Sequence, residues 1–319
     1  MKQKTTLKRI GEWSRDNTNL ILLIVMVLVG ALMSSNFFIW SNLMNLLRRI
    51  TVNGVMAIGF TMTLLVGGFD LSIGSTLSLC AVLCVGFENN HGSAAFAMLV
   101  ALAAGCGMGL LNGFLMKLTR GGSGEAFLIT LATSMVAGSL ATTYCKGFDL
   151  YGVHAAWYQA IGQKSISGFP ICAIIWIVLL VAFQIIIKKT TFGRKLLLCG
   201  ANKESAYLSG VDVGAMKIIA FTIAGAMAAL AAIIMTSRTT GASPNSGSGG
   251  DFDAAIASII GGNSLVGGHG GMVQVLIGTV IYGLITNILN LVGVESVVQY
   301  IVKGCVLLLA ICLDNLKKR

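Results

Sequence analysis

Charged side chains are scarce in this sequence. They make up 11% of its 319 residues, against 55% hydrophobic ones. A soluble domain carries about 25% charged residues, so this chain has too few to cover a water-facing surface. Catalytic signatures are missing as well. No Gly-Lys dipeptide occurs, which removes a P-loop. The three histidines, at 91, 154 and 269, are scattered. No His-Glu-x-x-His, Gly-x-Ser-x-Gly or paired-aspartate metal motif accompanies them. The eight cysteines show no zinc-type spacing with histidine. Cys80 and Cys84 share a helix face without further ligands, and small buried hydrophobes is the reading that fits them. No enzyme, cofactor or metal is expected.

What the sequence has is long uncharged runs: 17–47, 50–69, 71–87, 89–116, 126–145, 165–187, 218–237 and 254–294. A membrane span needs about 20 apolar residues, and the last run holds two spans around a central break. The reading is an all-α, polytopic membrane protein forming one domain over 1–319. Ten crossings are expected, near 19–35, 48–66, 74–87, 94–116, 126–143, 169–187, 217–236, 252–261, 271–289 and 296–313. The eighth is short, and eight crossings plus re-entrant segments is the alternative count. No small-x-small cleavage pattern follows Met33, so the first run is a retained span rather than a secretory signal.

The net charge of +10 fits cytoplasmic loops better than a nucleic-acid partner, because basic residues set membrane topology. Lys2, Lys4, Lys8, Arg9 and Arg15 mark the N-terminus as cytoplasmic, and Lys317–Arg319 the C-terminus. Lys117, Arg120 and the basic loop 188–217 belong on the same side. The segments 88–91, 146–164 and 238–253 fall opposite. Arg48 and Arg49 break the rule, lying near the outer end of the expected second span.

Asp70 is the only formal charge between Arg49 and Glu88. A carboxylate at membrane depth costs about 2.5–3.5 kcal/mol even on insertion scales, so it faces protein or water. Around it lie Gly67, Gly68 and Gly74. The segment 67–74 (Gly-Gly-Phe-Asp-Leu-Ser-Ile-Gly) is echoed by 261–268 (Gly-Gly-Asn-Ser-Leu-Val-Gly-Gly). Each breaks an apolar run, one early and one late, and paired interruptions point to a transport path. The candidate path or intramembrane residues are Gly67, Gly68, Asp70, Ser72, Gly261, Gly262 and Ser264. Glycines elsewhere, as in Gly105, Gly109 and Gly113, have the spacing of close helix packing.

Within 188–217, residues 200–210 read as one short helix. Asn202 caps it, Glu204 complements its dipole, and Gly210 ends it in the left-handed conformation. Ala206, Tyr207 and Leu208 offer contact surface for a docking partner.

Four blocks carry a family resemblance: Gly67 to Ser75; Gly109-Leu-Leu-Asn-Gly113 followed by Phe127-Leu-Ile-Thr-Leu131; Thr191-Phe-Gly-Arg194 through 199–211; and Asp253 to Gly270. The chain resembles the permease subunits of bacterial ATP-binding-cassette importers for simple sugars of the ribose, xylose and galactose type. That resemblance implies an inner-membrane subunit translocating a monosaccharide. The sugar would arrive on a periplasmic binding protein, and a separate cytoplasmic ATPase would supply the energy. It implies pairing as a homodimer or with a related permease, and a coupling segment that includes Gly193, Arg194, Asn202, Glu204, Ala206, Leu208 and Gly210. The run at 121–126 departs from the family pattern, with Glu125 adding a charge beside a span. The competing reading is an ion-coupled secondary transporter, with Asp70 and the Glu295, Gln299, Lys303 face as a relay.

Overall fold

The computed structural model describes residues 18–317, which form thirteen helices and four two-residue strands. The basic residues expected to mark the N-terminal side, and Lys318 and Arg319, lie outside the described residues. In chain order the helices are α1 Thr18–Met33, α2 Trp40–Leu65, α3 Ile73–His91, α4 Ala94–Leu118, α5 Ser123–Tyr144, α6 Ala156–Gln163, α7 Ile171–Lys189, α8 Thr191–Ala201, α9 Lys203–Leu208, α10 Val213–Thr239, α11 Gly250–Ile260, α12 Met272–Leu291 and α13 Ser296–Lys317. Every expected crossing coincides with one of these helices. Five of them, α4, α5, α7, α10 and α12, are long and apolar enough to cross a membrane. At 11 residues, α11 rises only about 16 Å, roughly half a hydrocarbon core.

The centre of the molecule is α2, buried almost continuously from 50 to 65. Protein sheathes it on all sides, so it can carry Thr51, Thr61 and Thr63 without exposing them to lipid. The closest pairing is α4 against α10. Gly105, Gly109 and Gly113 abut the α10 backbone at Gly225, Phe221 and Ile218, and a β-carbon at Gly113 would stand 2.5 Å from the Ile218 α-carbon. The small-residue spacing is thus a packing seam. With no hydrophobic drive between helices in lipid, close backbone approach lets dispersion hold them. The Cys80 and Cys84 thiols are buried in the core.

Strand β1 Leu150–Tyr151 pairs antiparallel with β4 Gly241–Ala242, and β2 Ser165–Ile166 with β3 Phe169–Pro170. The β1–β4 ladder ties loop 146–164 to 238–253. Glu88 Oε1 accepts the His154 and Ala155 N–H groups at 3.1 and 3.0 Å, and the Asn89 amide donates to the Tyr151 carbonyl. The three segments that charge placed on one side therefore meet at one end of the bundle.

Two boundaries differ from expectation. The second helix begins at Trp40, eight residues early. Its polar start is satisfied by partners: Asn42 and Asn287 exchange amide hydrogen bonds of 3.2 and 2.9 Å. Arg48 and Arg49 consequently lie inside the helix. Arg48 donates to Ser165 Oγ at 2.8 Å and Arg238 to the Arg48 carbonyl, so Arg48 belongs to the loop end of the bundle. Loop 188–217 holds two helices instead of one. α8 buries Gly193, Leu196 and Cys199 along one face.

Candidate functional site

Both glycine breaks are real interruptions. Residues 66–72 separate α2 from α3, and 261–271 separate α11 from α12. Gly67 takes φ +77° and Gly262 φ +104°, conformations open to glycine at little cost. The breaks touch. The Gly268 N–H donates to the Leu65 carbonyl at 3.1 Å, and the Val266 carbonyl lies beside Gly67. The corner between α8 and α9 reaches the same point. A β-carbon on Gly200 would overlap the Leu65 carbonyl oxygen and stand 2.5 Å from the Gly268 nitrogen. Three chain segments, distant in sequence, share one backbone junction.

Asp70 is buried at 2% exposure. Its Oδ1 accepts the Ser72 N–H at 2.9 Å and the Ser72 hydroxyl at 2.6 Å, closing the turn that starts α3. Ser72 Oγ in turn accepts from the Asn112 amide at 2.8 Å. Asn112 is fully buried and its Oδ1 has no partner among the described residues. Thr130 Oγ1 accepts the Leu71 N–H at 3.0 Å, and Ser123 Oγ donates to the Gly67 carbonyl at 3.0 Å. The first break is thus held by α4 and α5. Gly68 sits against the Phe221 ring.

In the second break, Gly261 abuts Gln274 of α12, and Asn19 of α1 donates to the Gly261 carbonyl at 2.7 Å. Ser264 is half-buried at the turn, its N–H donating to the His269 carbonyl. The residue that orders this loop is one the sequence reading did not single out. Asn263 is fully buried, donates to the Ser258 carbonyl and hydroxyl at 3.2 and 3.1 Å, and accepts the Gly271 N–H at 2.8 Å. Its place between Gly-Gly and Ser was the available signal, since asparagine bonds local backbone in turns.

Of the coupling candidates, Asn202 directly follows Gly200 and Ala201, which pack on this junction. Asn202 Oδ1 accepts the Ser205 N–H at 2.9 Å, capping α9. Ala206 is fully buried, Gly210 takes φ +74°, and Glu204 and Leu208 are exposed. Tyr207 and Leu208 stand 76% and 84% exposed. Gly193 packs on the Ile187 backbone and donates its N–H to Thr190 Oγ1, shaping the corner from α7, while Arg194 is exposed. Glu125, which departs from the family pattern, accepts the Gly122 N–H at 2.6 Å and so caps α5.

In the expected relay face, Lys303 and Gln299 each have a partner outside that face. Lys303 pairs with Asp253 of α11 at 3.1 Å, and Gln299 donates to Asn290 and Val294. Asp70, the other relay candidate, is bonded to Ser72.

A lipid-length helical bundle built around two abutting breaks is the architecture of a multi-pass membrane permease. Residues 42–311 match the model of a family described as the permease component of branched-chain amino acid transport systems. The chain belongs to that permease family. It is 36% identical over 296 residues to the ribose import permease protein RbsC of Bacillus subtilis, covering 92% of this chain and 91% of that protein. It is 35% identical over 316 residues to RbsC of Escherichia coli K12, covering 96% and 95%. It is 32% identical over 302 residues to the L-arabinose transport system permease protein AraH of the same organism, covering 94% and 90%. No solved structure matches.

Proposed function

We propose that the chain is the inner-membrane permease subunit of an ATP-binding-cassette importer. It passes a monosaccharide from a periplasmic binding protein to the cytoplasm, with ATP hydrolysis in a separate subunit. The similarity to ribose and arabinose permeases supports the substrate class. Ten crossings with both termini cytoplasmic fit the order of helices, α11 pairing with the buried part of the 261–271 break. Loop segments 88–91, 146–164 and 238–253 then face the binding protein. A second copy or a related permease completes the channel.

The observation that carries the coupling role is the position of α9. Its underside is fixed: Ala206 is buried and Lys203 Nζ donates to the Gly121 carbonyl at 3.2 Å. Its outer face leaves Tyr207 and Leu208 free for a partner. Directly behind it, Gly200 rests on the backbone of both breaks. An ATPase that moves α9 pushes on the junction, and its differential contacts shift the balance between outward- and inward-open states. Close packing makes such a contact transmit displacement rather than absorb it.

Reconstitution tests this. The chain with its ATPase and binding protein takes up sugar in an ATP-dependent manner. Uptake by the chain alone under an ion gradient overturns the proposal.

A further inference from the structure

Beside the coupling helix lies a pocket of about 660 Å³ between the end of α4 and the α9–α10 turn. Lys117, Arg120, Lys203 and Lys217 line it, with Tyr207 and Asp212. We propose that this pocket binds a phosphate group, presented by the headgroup of an anionic phospholipid.

Charge imbalance is the first argument. Of the four cations, Lys117 has a carboxylate partner, Asp212, at 3.7 Å. Lys217 is buried at 2% exposure, and its hydrogen bond goes to the Gly121 carbonyl, which Lys203 shares. One carbonyl oxygen cannot neutralise two ammonium groups, and a buried charge without a counter-ion is expensive. Glu125, capping α5 nearby, offsets one of them at most.

Backbone strain is the second. Arg120 takes φ +51° at the end of α4. A non-glycine residue there costs roughly 1 kcal/mol or more, although the chain places glycines at 121 and 122 immediately after it. The strained position puts Arg120 in the pocket lining, and the planar fork of donors of a guanidinium suits phosphate oxygens.

Location argues for a lipid source. The pocket sits where α4 ends and α10 begins, both helices of membrane-crossing length and apolarity. Phe114, one turn before Lys117 on α4, is 55% exposed and apolar, so an acyl chain has a surface to follow from the headgroup. Basic pockets at the cytoplasmic ends of helices bind anionic headgroups in this way. Naming the cytoplasmic leaflet rests on the topology proposed above; the pocket and its anion do not. A bound phosphate bridges Lys203 on the α9 side to Lys117 and Arg120 at the end of α4, and so stiffens the coupling helix.

The test is native mass spectrometry of the full chain with phosphatidylglycerol or phosphatidylcholine added. The wild type retains phosphatidylglycerol selectively. Arg120→Gly, which relaxes the backbone while removing the charge, and Lys203→Gln each weaken retention, roughly fivefold for each charge removed. Arg120→Lys retains it, and Lys164→Gln, at the other end of the bundle, behaves as wild type. Inorganic phosphate at matched ionic strength competes with the lipid. Phosphate binding that depends on Arg120 and Lys203 without lipid retention keeps the site and assigns it to a soluble anion. Equal retention of the two lipids, or undiminished retention by the Arg120→Gly/Lys203→Gln double variant, overturns the proposal. So does a double variant that loses only association with the ATPase, because the pocket then belongs to a protein carboxylate.

Discussion

Gly200 lies directly against Leu65: a β-carbon at 200 would overlap the Leu65 carbonyl oxygen, which itself accepts the Gly268 N–H at 3.1 Å. Through that one contact, the segment leading into α9 touches the end of α2 and the loop before α12. Gly200→Ala is expected to force the segments apart, at about 1–3 kcal/mol. Sugar uptake falls sharply while association with the ATPase persists, since α9 itself is unaltered. Uptake in reconstituted vesicles, paired with co-purification, checks this; normal uptake removes the junction from the coupling route.

The outer face of α9 answers to a different readout. Tyr207→Ala and Leu208→Ala change stability by less than about 0.5 kcal/mol, because both side chains are exposed. Both are expected to lose transport-linked ATP hydrolysis. Asn202→Ala removes the cap and costs the helix about 1 kcal/mol, which weakens association with the ATPase. Thermal melts and ATPase assays separate the two effects.

The Asp70–Ser72–Asn112 chain predicts a structural penalty. Ser72→Ala deprives Asp70 of a donor and leaves the buried Asn112 amide without its acceptor. A loss of about 1–3 kcal/mol follows, measured by denaturation in detergent. Asp70→Asn impairs uptake as well; normal uptake would show Asp70 to be an incidental polar residue.

Lys303 and Asp253 are expected to act as a structural pair. Lys303→Met strands the Asp253 carboxylate and destabilises the protein by about 3 kcal/mol. Lys303→Met/Asp253→Leu restores most of that loss, and uptake remains driven by ATP. Failure of the double variant to recover stability would reopen a functional role for the pair.

The α4–α10 seam gives the simplest steric test. Gly109→Val drives a branched side chain into the Phe221 backbone and is expected to prevent assembly of the pair. Gly107→Val, where nothing lies within 4 Å of the position, is tolerated. Expression and monodispersity of the two variants report the difference.

Element by element, the helices were legible because lipid imposes a length and an apolarity that any crossing segment must show. The α4 glycine seam and the Asn202 and Gly210 limits of α9 were legible for a similar reason: spacing and caps are local properties. The start of α2 was not, since Asn42 reads as loop until Asn287, far along the chain, satisfies its amide. Asn263 was passed over for Ser264, because only the folded loop shows which amide closes it. The sequence by itself determined that this is a membrane bundle with two glycine breaks and a capped helix on a basic loop. Only the tertiary structure decided that the breaks abut and that Gly200 rests on both. It also set Lys203 and Lys217 on one carbonyl beside Arg120. Those relations depend on backbone surfaces brought together from distant parts of the chain, and no local pattern encodes such an approach.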